Sequence, residues 1–311
     1  MQSLNLAETR RVLVLGTGEL GKSVLESLAA LPAMKVSVLV RPVYESSHDK
    51  EKVDLVEWLK KLGIEIIYGD AADDSTETLA RQFSQFDTLV SCLGFAAGPG
   101  IQVKLTEAAL QSSLVRYIPW QFGVDYDAIG YGSPQPLFDE QLDVRQMLRA
   151  QSRLQWQLIS TGMFTSFLFE PALGVVDIEN STVRALGDWE TTVTVTTPED
   201  IGRLTARIVA EPVGEPIIFC AGDTVTYGQL ADTVENLVGR TMRREQWSVP
   251  YLKAELANNP SDAMRKYRAV FAEGTGVAWE KEHTYNVAHG IQTSTIAQWA
   301  QQHLQACCLQ R

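Results

Sequence analysis

The feature that most constrains this chain is Gly16-Thr17-Gly18-Glu19-Leu20-Gly21, which directly follows the apolar run Val12-Leu13-Val14-Leu15. A strand passing into a helix through glycines spaced in this way is the fingerprint of a dinucleotide-binding βαβ unit. Gly16 permits the tight turn, Gly18 keeps a side chain out of the path of a pyrophosphate, and Gly21 lets helix and sheet approach. The helix begins here because Leu20, Val24, Leu25, Leu28 and Leu31 recur at helical spacing. Its exposed amides and positive dipole end then stabilise a diphosphate.

The same alternation continues for about half the chain. Short apolar runs at 12–15, 36–40, 64–68, 88–92, 114–118 and 157–160 read as strands, separated by helical patterns at 19–30, 50–62, 101–113 and 138–151. Strands apolar on both sides belong in a parallel sheet covered on both faces. The expected class is therefore α/β, a Rossmann-type doubly wound parallel sheet. After Thr161 the pattern changes, first to the aromatic-rich Met163-Phe164-Thr165-Ser166-Phe167-Leu168-Phe169 and then to Gly- and Thr-rich strand candidates. A helix from Pro198 to about Ala210, a strand at 217–220, a helix from near Thr226 and a last helix at 294–305 follow. We expect a dinucleotide domain over 1–160 and a smaller substrate lobe over 161–311, partly interleaved with the first.

The second strand bears on which dinucleotide. NAD sites usually end that strand with an acid that accepts from the ribose hydroxyls. This one ends Val38-Leu39-Val40-Arg41, and a guanidinium suits a 2′-phosphate, so NADPH is the expected cofactor. Ser46, Ser47 and Lys50 are near enough in sequence to assist, and Asp70 either faces the adenine side or caps a turn. Ser91-Cys92-Leu93-Gly94-Phe95, at the carboxyl end of the fourth strand, is expected to line the ribose and nicotinamide.

With 27 Lys+Arg against 38 Asp+Glu the net charge is −11, which argues against general nucleic-acid binding and against adhesion to anionic membranes. A chain of 311 residues with 45% hydrophobic and 21% charged residues is ordinary for a globular protein. No run of about eighteen apolar residues is present, and Met1 to Arg10 is polar, without the pattern of a signal peptide. The cysteines at 92, 220, 307 and 308 form no CxxC pair and are expected to be reduced thiols of a cytoplasmic protein. His48, His283, His289 and His303 form no metal-binding motif. No GxSxG elbow occurs, and none of the nine tyrosines has a lysine four residues later, which excludes the usual short-chain dehydrogenase pair.

The Gly16–Gly21 loop, Val38-Leu39-Val40-Arg41, Arg116-Tyr117-Ile118-Pro119-Trp120-Gln121-Phe122-Gly123, Phe138-Asp139-Glu140-Gln141-Leu142-Asp143-Val144-Arg145 and Pro198-Glu199-Asp200-Ile201-Gly202 together resemble one known group. It is the NmrA-like, isoflavone-reductase-like branch of atypical short-chain dehydrogenases. The resemblance covers nearly the whole chain. It implies hydride delivery from NADPH to a small aromatic substrate by a monomer or homodimer, with Trp120, Gln121 and Phe122 beside the cofactor. The chain departs from the pattern at three places: Leu15 stands where the family has its first glycine, Trp120-Gln121 where many members read Ser-Glu, and Gln141 where the family has its catalytic lysine.

A carboxamide can hold a substrate oxygen but has no accessible pKa with which to move a proton. Three outcomes follow. The substrate is a quinone or quinone methide that takes its proton from water; another group supplies the proton, with Tyr126, Tyr131, Asp125 and Asp127 the nearest candidates; or the protein binds NADPH and acts as a redox sensor without turnover. Gln141 and Tyr126 are the candidate catalytic residues. Trp120, Phe122, Met163, Phe164, Phe167 and Phe169 fall at or just after strand ends, where an aromatic ligand would be held. Met163, Phe164 and Phe167 are the candidate substrate residues.

Overall fold

Val12 to Leu15 have no solvent-exposed surface, as required of a strand packed on both faces. They form most of β1 (Arg10–Leu15). The computed structural model describes residues 9–211 and 214–308, so the polar stretch from Met1 to Glu8 lies outside the described residues, as do the side chains of Cys307 and Cys308. Around β1 assemble β2 (Met34–Val40), β3 (Glu65–Tyr68), β4 (Thr88–Ser91), β5 (Arg116–Ile118) and β6 (Gln155–Trp156), in the order β3-β2-β1-β4-β5-β6. All are parallel, with Leu15 opposite Leu39 on one side and Ser91 on the other. The chain moves outward from β1 to β3 and returns to β4, so the strand order reverses between β1 and β4.

The helices between strands are α1 (Glu19–Ala29), α2 (Lys50–Lys61), α3 (Thr76–Phe83) and α4 (Ile101–Gln111). Leu79 and Phe83 of α3 and Leu105, Ala108 and Ala109 of α4 pack with Leu13, Leu89 and Tyr117 of the sheet in one apolar cluster. At the amino edge, Arg10 and Arg116 donate to the carbonyls of Ile208, Val209 and Ala210, closing the carboxyl end of helix Pro198–Ala210.

Several boundaries differ from the sequence expectation, and three of them have a visible cause. The sixth strand is Gln155–Trp156, and Leu158–Ser160 is a strand of its own. Gln157 N still reaches Tyr117 O, but Leu158 N turns to Pro216 O at 2.9 Å. The helix expected over 138–151 is Leu137–Arg149, because the Gln151 side chain donates to Leu148 O and Leu154 O and closes it early. The helix expected to start at 294 is Ile296–Cys308, because Thr295 caps it: its hydroxyl accepts from Gln298 N while the Gln298 side chain accepts from Thr295 N.

The chain forms two compact units. The first comprises 1–121, 143–158 and 201–217, and the second 122–142, 159–200 and 218 onward. Two three-stranded sheets occur in the second: Asp223–Thr226, Thr192–Thr196 and Met163–Phe164 in one, and Arg243–Trp247, Thr182–Leu186 and Val176–Asp177 in the other. Helix Tyr227–Val238 starts with a capping box between Thr226 and Gln229 and ends at left-handed Gly239. Among the described residues no helix is long and apolar enough to cross a membrane.

Candidate functional site

In the first unit, the loop from β1 to α1 folds back on itself. Gly16 has φ +95°, and a Cβ there would stand 2.8 Å from Cys92 O. A Cβ on Gly21 would stand 2.2 Å from Gly16 O. Both positions are therefore closed to any side chain by backbone contacts. Gly18 differs: nothing lies within 4 Å of where its Cβ would be. As the N-cap residue of α1 it carries no side-chain cap, so the first-turn amides have no acceptor from it. Cys92 N donates to Leu15 O at 2.7 Å and ties the loop to the end of β4. Burial pushes the Cys92 thiol far up, so it stays neutral and acts as apolar wall.

A crevice of about 600 Å³ opens above these strand ends. Its floor is Leu15, Gly16, Thr17 and Gly18. One wall is Leu39, Val40, Arg41 and Tyr44 with Gly69 to Asp73, and the other is Cys92, Leu93, Gly94, Ala97 and Ile101. It therefore lies at the carboxyl ends of β1, β2 and β4, at the point where the strand order reverses, which is where open α/β sheets hold their ligands. Leu20 and Gly21 are buried beneath it and Glu19 is exposed, so the second half of the loop builds the site without lining it.

Arg41 is exposed at the crevice rim, its guanidinium 6.0 Å from the centre of the Tyr44 ring. Tyr44 was not anticipated from the sequence; a short turn, Pro42–Tyr44, carries it back to the wall, and Pro42 directly after Arg41 was the available signal. Two of the expected helpers are engaged elsewhere: Lys50 pairs with Asp54 at 2.6 Å, and the Ser47 hydroxyl accepts from Asp49 N. Asp70 caps a turn, its carboxylate accepting from Ala72 N at 2.9 Å, and it also lines the crevice.

Beyond the crevice, Phe95 and Trp120 meet edge to face at 6.5 Å, and a Cβ on Gly94 would stand 2.9 Å from the Trp120 ring. Gln121 is fully buried, its side-chain oxygen accepting from Arg145 Nε at 3.0 Å.

In the second unit, four rings form a row. Tyr126 packs on Phe138 at 5.0 Å, Phe138 on Tyr267 at 6.1 Å, and Tyr267 on Phe167 at 5.7 Å, each edge to face. Phe122 and Met163 are buried, Phe164 is half-buried, and Phe169 instead packs on Trp299 at 5.0 Å. Tyr267 is new to the site; burial pushes its hydroxyl up to about 12, so it is protonated throughout the ordinary pH range. Gln141 lies fully buried on helix Leu137–Arg149, three residues after Phe138. Of the other proton-donor candidates, Asp125 caps helix Tyr126–Ile129 and Tyr131 is exposed at the surface, while Tyr126 is buried in the ring row.

The model of the NmrA-like family matches residues 8–294. An "NmrA-like family domain-containing oxidoreductase" of Gibberella moniliformis is 46% identical over 294 residues, covering 93% of this chain and 96% of that protein. A phenylcoumaran benzylic ether reductase of Betula pendula is 24% identical, covering 96% and 99% of the two chains. Among solved structures, an isoflavone reductase superposes with TM-score 0.79 at 20% identity, over 94% of this chain and 99% of that one. A leucoanthocyanidin reductase–NADPH complex from Vitis vinifera gives 0.71 at 21%, over 87% and 89%. The chain belongs to the NmrA-like family.

Proposed function

We propose that this NmrA-like oxidoreductase binds NADPH on its first unit and reduces a small aromatic or quinonoid substrate held by the ring row of its second. The observation that carries the reading is the crevice at the β1/β4 reversal. It joins a glycine cradle left open at Gly18 to a single rim guanidinium, Arg41. The donor set suits the cofactor: amides of Thr17, Gly18 and the first turn of α1 hold the diphosphate, and Arg41 holds the 2′-phosphate. Tyr44 offers its face to the adenine. Cys92, Leu93, Gly94, Phe95, Trp120, Gln121 and Phe122 are assigned to the ribose and nicotinamide side. The Vitis vinifera reductase solved with NADPH supports this choice.

When bound, NADPH supplies the hydride. The chain's own work is to position and to exclude water. Met163, Phe164 and Phe167 make an apolar wall for the acceptor ring, and Gln141 holds the substrate oxygen by a hydrogen bond. Tyr126 is the assigned proton donor. Titration with NADPH and NADH, followed by absorbance at the reduced-nicotinamide band with quinones and benzylic ethers, tests the reading. Consumption of NADPH supports it. Tight binding with no consumption across that panel makes the protein a redox sensor instead.

Gln141→Lys sharpens the same point. It is expected to raise turnover of ether substrates, which need a proton, on the order of 10²-fold, and to change quinone reduction little. Burial lowers the new amine's pKa, so the unfolded chain binds more protons than the folded one. The variant's stability deficit should therefore shrink as pH rises from the folded pKa toward the unfolded one. Unchanged rates and an unchanged pH profile would place the proton donor elsewhere.

A further inference from the structure

Two buried polar groups without a protein partner stand close in sequence to members of the row of four rings. Gln135 is 1% exposed, and its side-chain NH2 has no protein acceptor within hydrogen-bond distance. Its place is fixed by the backbone: Gln135 O accepts from Phe138 N at 3.0 Å, and Gln135 N donates to the Ser133 hydroxyl at 3.3 Å. The carboxamide oxygen faces Leu137 N at 3.5 Å, at the start of helix Leu137–Arg149. Thr165, two residues before Phe167, is fully buried, and its hydroxyl has no protein partner either.

Native chains rarely leave such groups buried and unpaired, because each loses its bonds to water without replacement. Met in place of Gln135 or Val in place of Thr165 would fill nearly the same space without that cost. Keeping amide and hydroxyl is explained if something else supplies their partners. Both stand in sequence beside ring-row members, Phe138 and Phe167, so a flat ligand on that row is the natural source.

We propose that Gln135 and Thr165 are ligand-recognition residues, with the Gln135 NH2 donating to a carbonyl or phenolic oxygen on an aromatic ligand and the Thr165 hydroxyl pairing with a second oxygen. This rests on the aromatic-substrate reading and narrows it to rings bearing more than one oxygen. Unsubstituted hydrocarbons of equal size would leave both groups unpaired, and a site built to bond an oxygen discriminates strongly against the analogue lacking it.

The test uses the full chain saturated with NADP+ and two probes of one carbon skeleton, 4-hydroxybenzophenone and diphenylmethane. Wild type should bind the oxygenated probe at least about tenfold more tightly. Gln135→Met and Thr165→Val should each lose most of that preference, bind NADPH within about twofold of wild type, and melt at or above the wild-type temperature. A wild type without the preference overturns the proposal, as do variants that keep it. A Gln135→Met protein that melts well below wild type shows a structural amide and overturns it as well. Because the readout is probe binding, failure here stands apart from failure of the NADPH-consumption assay, which bears on the reductase reading alone.

Discussion

Gly18→Val is expected to fold as the wild type does and to bind NADPH at least about 100-fold more weakly, a loss of about 2.7 kcal/mol or more. The separation of folding from binding is the informative part. Gly18 has φ −70° and ψ −170°, an extended conformation that valine adopts readily, and no atom stands within 4 Å of its Cβ position. Nothing in the fold therefore requires glycine there. The proposed requirement is a diphosphate lying against the backbone. Gly21→Val is the contrast: its Cβ would stand 2.2 Å from Gly16 O, so the loop or α1 must move, and little soluble protein is expected. Thermal melts without nucleotide should give Gly18→Val a wild-type midpoint. NADPH at a concentration that saturates the wild type should raise its midpoint and raise the variant's far less. Wild-type affinity in Gly18→Val would remove the diphosphate from this loop and the cofactor reading with it.

The parts of the fold legible in the sequence are those fixed by local pattern. The glycine loop, the β1 core run and the helix opening at Pro198 each announce themselves within a few residues, because turn geometry and hydrophobic period are local properties. Helix α3 was less visible: it has only eight residues, and its apolar stripe is Leu79, Ala80 and Phe83, so Ser75 as N-cap was the better signal. The sixth strand was misplaced by two residues because Gln157-Leu158-Ile159-Ser160 is more apolar than Gln155-Trp156, yet Leu158 N finds its partner in Pro216, far along the chain. The candidate site divides in the same way. Arg41 follows from the end of β2, whereas Tyr44 reaches the crevice only through the turn after it. Tyr267 joins Phe138 and Phe167 through tertiary packing, and its sequence neighbourhood, Arg265-Lys266-Tyr267-Arg268, reads as a solvated helix face. Contacts between residues a hundred positions apart leave no mark in a local pattern.

Arg41→Glu is expected to weaken NADPH binding by about 10² to 10³-fold while changing NADH affinity less than about threefold, on the argument that charge at the crevice rim selects the phosphate. On the proposed reading a 2′-phosphate meets one guanidinium, on a wall that also carries Asp70 and Asp73. Reversing Arg41 leaves that wall with three carboxylates and no cation from its lining, so a dianionic phosphate is repelled, whereas a ribose 2′-hydroxyl can donate to the new carboxylate as in NAD sites. Because the rim is exposed, the wild-type preference for NADPH should fall with added salt. The variant's opposite preference should also shrink with salt. Tyr44→Ala provides the control: an aromatic face serves the adenine of both nucleotides, so both should weaken by a similar factor and the NADPH-to-NADH ratio should hold. Calorimetry with the two nucleotides at low and high ionic strength measures all of these quantities. Equal losses of NADPH and NADH in Arg41→Glu would assign the guanidinium to the adenine or to the fold rather than to the phosphate, and the cofactor choice would then have to come from some other group.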